Sequence, residues 1–436
     1  MLTWLQRYRL RAFVASSLWV VPVVGIALAL VLSPTLRRFD AATRWTLFGF
    51  GPDGARAALA GLVASVFTFV VFVFSILLVA VQIASANLTP RVIAAMLAHR
   101  PVRVCLGLMV FTFVYGLAVV GRIEGTVPQL PVAVVIAASL ASLVAFLYLI
   151  DHLARRLRPV TVLSEIGRMG AHVIESVYPR LLAESPEEGP RPAPGEGARQ
   201  VARSRVGGVV LAFDAAGLVA AARAADGVIE LVPQVGDFVA TGDPIFRVFG
   251  PRDVDEERLH QSLALGAERT AEQDPAFPLR TIVDIASKAL SPAINDPTTA
   301  VLALDQIHHL LRNVGHRKLD TGQTRDRDGR LRLVYETPDW EAFVELALTE
   351  IRHYGAGSIQ VARRQRALLT DLLAALPSGR HPPLRAELQR LERSVERAFS
   401  DGDDRARAAR GDSQGLGGHE TAVEDPEPAL AQNHRN

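Results

Sequence analysis

FPLRTIVDIASKALSPAINDPTTAVLALDQIHHLL, residues 277–311, reads as two helices meeting at a highly specified turn. Ile282, Ile285, Ala286 and Leu290 recur at helical spacing in the first half, and Val301, Leu304, Ile307 and Leu311 in the second. Between them, Ser291-Pro292 stops one helix and Asn295-Asp296-Pro297 starts the next. Asp296 has the chemistry of an N-cap, and Pro297 takes the first helical position, where a missing N–H does no harm. Thr298 and Thr299 follow in the first turn, where free N–H groups and the positive end of the helix dipole favour an anion. Two readings stand side by side: a small-ligand or anion site at this helix start, and a well-capped corner that only packs. Arg280 and Asp284 on the first helix, with Asp305 on the second, read as charged groups sharing one place and bracing the corner.

The flanking chain is mostly soluble in character. Residues 160–182 form an amphipathic helix, and SPEEGPRPAPGEG, residues 185–197, is a Pro/Gly/Glu-rich linker that can bury no core. VGDFVATGDPIF, residues 235–246, has the strand–turn–strand look of lipoyl- or biotinyl-type modules, but it carries no lysine to modify, which excludes carrier chemistry. A helix is expected over Glu256–Thr270 and a strand over Gly329–Glu336. Helices are also expected over Asp339–Tyr354, Ser358–Leu376 and Pro383–Phe399.

The first 150 residues differ. The whole chain has 49% hydrophobic residues and a mean hydropathy of +0.21, and the apolar residues concentrate here. Four runs, Phe13–Leu32, Ala58–Ala84, Val104–Val120 and Leu130–Ile150, approach the roughly 20 residues a bilayer requires. Nine arginines flank the ends facing the chain termini (Arg7, Arg9, Arg11, Arg91, Arg100, Arg103, Arg155, Arg156 and Arg158). Five flank the other ends (Arg37, Arg38, Arg44, Arg56 and Arg122), a bias that puts both termini in the cytoplasm. None of the four runs contains Asp, Glu, Lys, Arg or His, which argues against a proton-coupled pump. Thr68, Ser75 and Gln82 lie seven apart on one face of the second run, with Ser65 and Ser85 close by. That stripe either glues helices together or lines a water-filled path made by several copies. VIAAMLAHR, after Pro90 and Arg91, reads as a helix lying along the inner membrane surface.

Other chemistries find no footing. Net charge is +2, which gives no nucleic-acid footprint. Cys105 is the single cysteine, so there is neither an internal disulfide nor a thiolate metal cluster. His308, His309 and His316 lack the carboxylates or cysteines of a metal ligand set and read as surface or helix-end residues. No nucleophile elbow, P-loop or dinucleotide fingerprint occurs.

Three stretches carry a resemblance: GARAALAGLVASVFTFVVFVFSILLVAVQIASANLTPRVI (Gly54–Ile93), FTFVYGL (Phe111–Leu117) and FPLRTIVDIASKALSPAINDPTTA (Phe277–Ala300). With these the chain resembles the bacterial predicted membrane-protein family known as domain of unknown function 2254, from the first membrane helix to about Phe399. LSPAINDPTTA is the most specific of the motifs. The resemblance implies an integral membrane protein with a cytoplasmic C-terminal domain, and it brings no reaction and no catalytic residue.

The expectation is therefore an α+β integral membrane protein. Its transmembrane domain covers 1–155, an amphipathic connecting helix 156–184 and a linker 185–204. A small β-containing module covers 205–250, a mostly helical cytoplasmic domain 251–400 and a disordered tail 401–436. The protein is placed in the bacterial inner membrane as a multi-pass homo-oligomer with the lipid bilayer as partner. No enzyme activity, cofactor, metal or nucleic acid is expected, and no ligand is named. Its function reads as a channel or permeation scaffold lined by Thr68, Ser75 and Gln82. The alternative is a membrane-anchored ligand sensor or interaction scaffold using Asn295, Asp296, Thr298, Thr299, Arg280 and Asp284.

Overall fold

A computed structural model describes residues 3–43, 49, 51–87, 100–124, 126–156, 158–182, 197–319 and 322–416. Four of its helices are long and apolar enough to cross a membrane: α2 (Val20–Thr43), α3 (Pro52–Asn87), α4 (Arg100–Val120) and α5 (Gln129–Arg156). A separate helix α1 (Trp4–Ser16) precedes them, which corrects the first span from Phe13–Leu32 to Val20–Asp40. The break has a local cause. Ser17 is extended, and its hydroxyl accepts the Trp19 N–H at 3.3 Å, an alternative to continuing the helix ladder.

Consecutive membrane-length helices run antiparallel. At one end Arg122 Nη1 donates to Ser33 Oγ at 2.7 Å, the Leu130 N–H donates to Asp40 Oδ1 at 2.8 Å, and Arg56 reaches the Ile123 carbonyl. At the other end Arg103 Nη1 donates to the Val14 carbonyl at 2.7 Å. α2 and α4 approach closely because glycines face each other. A Cβ on Gly25 would sit 2.7 Å from the Gly107 carbonyl oxygen, and one on Gly107 would sit 2.6 Å from Val21 Cγ1. Between α4 and α5 a fully buried hydroxyl pair, Thr112 and Ser142, meets at 3.0 Å.

α6 (Pro159–Val177) leads from α5 into the C-terminal part of the chain, with Arg156 paired to Glu165 across the joint. It packs on α9 (Ala276–Ala289) and α10 (Pro297–Gly315), the two helices of residues 277–311. Gly170 sits against Pro278 and Leu310 there. Ile282, Ile285, Ala286, Leu304, Ile307 and Leu311 are completely buried, so the helical spacing marks a true core. α11 (Trp340–Gly355), α12 (Ile359–Ala375) and α13 (His381–Ala398) close round the pair.

The β part draws on more of the chain than residues 205–250. One sheet has the order β1-β5-β3-β8-β7, from Gln200–Arg203, Pro244–Phe249, Val228–Leu231, Leu331–Tyr335 and Gln323–Arg325. The other has the order β4-β2-β6, from Phe238–Val239, Gly208–Phe213 and Leu263–Gly266. α7 (Ala215–Ala224) covers the five-stranded sheet with Leu218, Ala221 and Ala222. β8 joins β3 in parallel with Ile229 opposite Leu333, so the α9–α10 pair is inserted between strands of one β unit. The helix expected over Glu256–Thr270 stops after α8 (Glu256–Gln261), because Leu263–Gly266 pairs with β2 instead. Gly-Asp turns recur as read: Gly236 and Gly242 have φ of 98° and 93°, and Asp237 and Asp243 each accept a main-chain N–H three residues back.

Residues 401–416 also depart from expectation. Asp401 caps α14 (Gly402–Ala408), Ala408 is 1% exposed, and Gly415 packs on Val301 with its carbonyl accepting from Gln360 Nε2 at 2.6 Å. Low apolar content hid this docking, which runs through main-chain groups and the buried Asp412 near Arg363. The surface helix expected at VIAAMLAHR, most of the 185–197 linker and the tail beyond 416 lie outside the described residues.

Candidate functional site

The turn between α9 and α10 is built as a cap. Asn295 takes a left-handed conformation with φ of 48°, the Asp296 N–H donates to the Ala289 carbonyl at 2.8 Å, and Ser291 Oγ donates to the Lys288 carbonyl at 2.7 Å. Asp296 Oδ1 accepts the Thr299 N–H at 3.0 Å and its Oδ2 accepts the Thr299 hydroxyl. A carboxylate of the chain itself therefore occupies the helix start where a bound anion would sit. Thr298 is exposed and Thr299 buried.

Arg280 and Asp284 do come together, at 2.7 Å between Nε and Oδ1. The third member is Glu350 of α11, gripped by both Arg280 Nη groups at 2.7 and 3.0 Å. This fork raises the Arg280 pKa and holds the Glu350 carboxyl below its ordinary value. Asp305 is not part of it. It pairs with Arg364 of α12 at 2.7 Å, because α10 turns that face away from α9. Arg280 and Glu350 line a cleft of about 320 Å³ with Glu345, Thr349, Arg352 and Arg390. Arg352 donates to the fully buried Glu387 at 2.7 Å, and Arg390 approaches Glu387 and Glu345 at 3.5 and 3.7 Å. Each guanidinium in the cleft thus already holds a carboxylate, and a new anion would have to displace one.

His308 accepts at Nδ1 from Arg364 Nη2 at 3.3 Å, and burial together with that guanidinium pushes its pKa down. His309 is exposed and His316 closes the end of α10. Among the described residues no three His, Cys, Asp or Glu side chains gather as a metal site would need.

Thr68, Ser75 and Gln82 all lie on the outer face of α3, away from α2, α4 and α5. Thr68 Oγ1 and Ser75 Oγ donate to the carbonyls of Ala64 and Val71 at 3.0 and 3.1 Å, so neither hydroxyl is used between helices. Gly54 and Gly61 continue the seven-residue spacing toward the other end, with open space where a Cβ would stand. Exposed Phe67, Phe72, Leu78 and Val79 flank the stripe.

One contact joins residues 203 apart in the chain. Lys288 Nζ, on α9, donates to the main-chain carbonyl of Ser85 in the last turn of α3 at 2.7 Å. Ala84 beside it is 1% exposed and belongs to the same buried cluster as Val162, Leu163 and Ile282. The two most distinctive stretches of the sequence therefore meet in space. A compositional hint existed, since all but two of the 47 basic residues are arginine and Lys288 is one of the two.

Among known proteins, the profile of a family described as "Predicted membrane protein (DUF2254)" matches residues 15–371. Uncharacterised proteins of Mycobacterium bovis and Mycobacterium tuberculosis are similar to the chain, each 27% identical over 427 residues. The match spans 92% of this chain and 80% of each relative. No solved structure matches.

Proposed function

The chain belongs to the predicted membrane-protein family domain of unknown function 2254, and from that premise we propose a homo-oligomeric membrane channel or permeation scaffold. In this reading copies of α3 meet along the Thr68–Ser75–Gln82 face, and the helical and β parts form a cytoplasmic regulatory domain. The observation that carries it is the outward aspect of that stripe. Gln82 has no hydrogen-bond partner among the described residues, although its amide offers two donors and an acceptor. Facing hydrocarbon alone, such a group is costly; facing other copies of itself, or water in a shared path, it is satisfied. The inner-membrane orientation with both termini cytoplasmic is supported by α1 and Arg103 lying at the end of the helix bundle that carries the soluble part.

The test is solute or ion flux in proteoliposomes, paired with disulfide cross-linking of Ser75→Cys in a Cys105→Ala background. Cross-linked dimers and a flux lost in Gln82→Leu are the expected results. A flux that is indifferent to Gln82→Leu rules out the pore lining, and no cross-link rules out the α3 interface.

A membrane-anchored sensor is the second reading, and the 320 Å³ Arg280–Glu350 cleft favours it. Ligand there would compete with Glu350 for Arg280, so calorimetric screening of the full chain against Arg280→Gln discriminates the two. No catalytic step is proposed.

A further inference from the structure

We infer that Lys288 is a releasable latch between the soluble part and the end of α3, and that its release lets the α3 stripe rearrange. The regulatory meaning of the latch rests on the stripe reading above, whereas the latch itself rests on contacts.

The C-terminal end of a helix presents carbonyls without intrahelical partners and carries the negative end of the helix dipole. Lys288 Nζ sits on a carbonyl of the last described turn of α3, that of Ser85, one turn beyond Gln82. A compact ammonium with three donors suits clustered carbonyls, where the planar fork of arginine suits carboxylates. Lysine at this place, in a chain that otherwise uses arginine almost throughout, fits that chemistry. The bond is solvent-exposed, so it can break without unfolding either side.

The specified turn then acquires a purpose. Lys288 lies in the last turn of α9, and the backbone around it is tied from both directions. The Lys288 carbonyl accepts the Ser291 N–H at 3.1 Å and its hydroxyl at 2.7 Å, and the next carbonyl, that of Ala289, accepts the Asp296 N–H at 2.8 Å. The Asn295–Asp296–Pro297 corner therefore sets the direction in which Lys288 reaches. At the other end of α9, Asp274 Oδ1 accepts the N–H groups of Ala276 and Phe277 at 3.0 and 3.1 Å. Asp274 also lies against Gly236 of the β unit. α9 is thus a single rod, about 20 Å long at 1.5 Å per residue, with the β unit at one end and α3 at the other. The buried Ala84 provides the apolar half of the latch, and Lys288 the polar half.

The test uses the full chain in lipid nanodiscs, with Cys105→Ala and Ser85→Cys as a reporter that keeps the main-chain acceptor. The rate of maleimide modification at residue 85 is measured in Lys288→Met, Lys288→Glu and Lys288→Arg. The expected order is Glu fastest, then Met, then Arg, with Arg between Met and the parent because its charge is kept and its geometry is not. Met should differ from the parent by at least about fivefold, the lower end of an ordinary coupling between sites. His309→Cys serves as a control reporter at an exposed position of α10, and its rate should stay constant, as should Tm. Equal acceleration at both reporters with a lowered Tm means general loosening and overturns the latch, as does an unchanged rate in Lys288→Met and Lys288→Glu. If Ser75→Cys fails to cross-link while residue 85 still responds, the stripe reading falls and the latch stands. If flux responds to Gln82→Leu while residue 85 does not respond to Lys288, the reverse holds.

Discussion

Arg352 of α11 donates its Nε to Oε1 of Glu387 of α13 at 2.7 Å, and the Glu387 side chain is completely buried there. Removing the carboxylate leaves a guanidinium that is itself only 14% exposed without its counter-charge. Glu387→Ala should cost on the order of 3–5 kcal/mol, read from denaturant unfolding of the full chain in detergent. Replacing both residues by apolar ones of similar size should cost much less, and an additive double mutant would contradict the pairing.

Asp296→Ala removes the cap of α10 at both of its bonds to Thr299. A loss of roughly 1 kcal/mol is expected, with Asp296→Ser and Asp296→Asn retaining most of the stability. Thermal melts of the four proteins provide the check. Equal melting of Ala and Ser variants would show that capping is not the role.

Asp274 is 3% exposed, and burial pushes its carboxyl above the ordinary value, against the opposing pull of Arg269. The folded chain therefore holds this proton more tightly than the unfolded chain. The stability contributed by the group is full at low pH, falls as pH rises from the ordinary value of 3.8 through the raised one, and is constant above. Asp274→Asn keeps an oxygen for the α9 N–H groups and removes the titration. Its Tm should gain on the wild type as pH rises from about 4 to 7, by a few degrees, and a parallel pair of curves would refute the assignment.

Gly107→Val places a side chain where Val21 and the α2 backbone already stand. A loss of about 1–3 kcal/mol is expected from overpacking, seen as a lower Tm in detergent. Gly61→Ala is the contrast. It meets open space in the monomer, so it should not lower monomer stability, and it should alter Ser75→Cys cross-linking if copies of α3 pack there.

Much of this was legible beforehand. Ile282, Ile285, Leu304 and Ile307 declare two helices by their spacing, and Asp296-Pro297 marks the start of the second to the residue. The seven-residue interval puts Thr68, Ser75 and Gln82 on one face, while only the packed bundle reveals that the face looks outward. Arg280 and Asp284, one turn apart, were bound to meet. Glu350, 70 residues on, carries no signal near Arg280, and sequence pattern alone groups Asp305 with Arg280, whereas the rotation of α10 delivers it to Arg364.

The amino-acid sequence by itself determined what depends on neighbours a few residues apart: helix periods, caps, Gly-Asp turns and four runs long enough for a bilayer. Tertiary structure alone decided what depends on chain closure. It laid β8 parallel to β3 across the inserted helices, folded residues 401–416 onto α12, and carried Lys288 to Ser85 across 203 residues. Local patterns are imposed by backbone geometry, which every stretch of chain carries with it. Long-range partners are selected by the summed burial of whole faces, and no single stretch contains that sum.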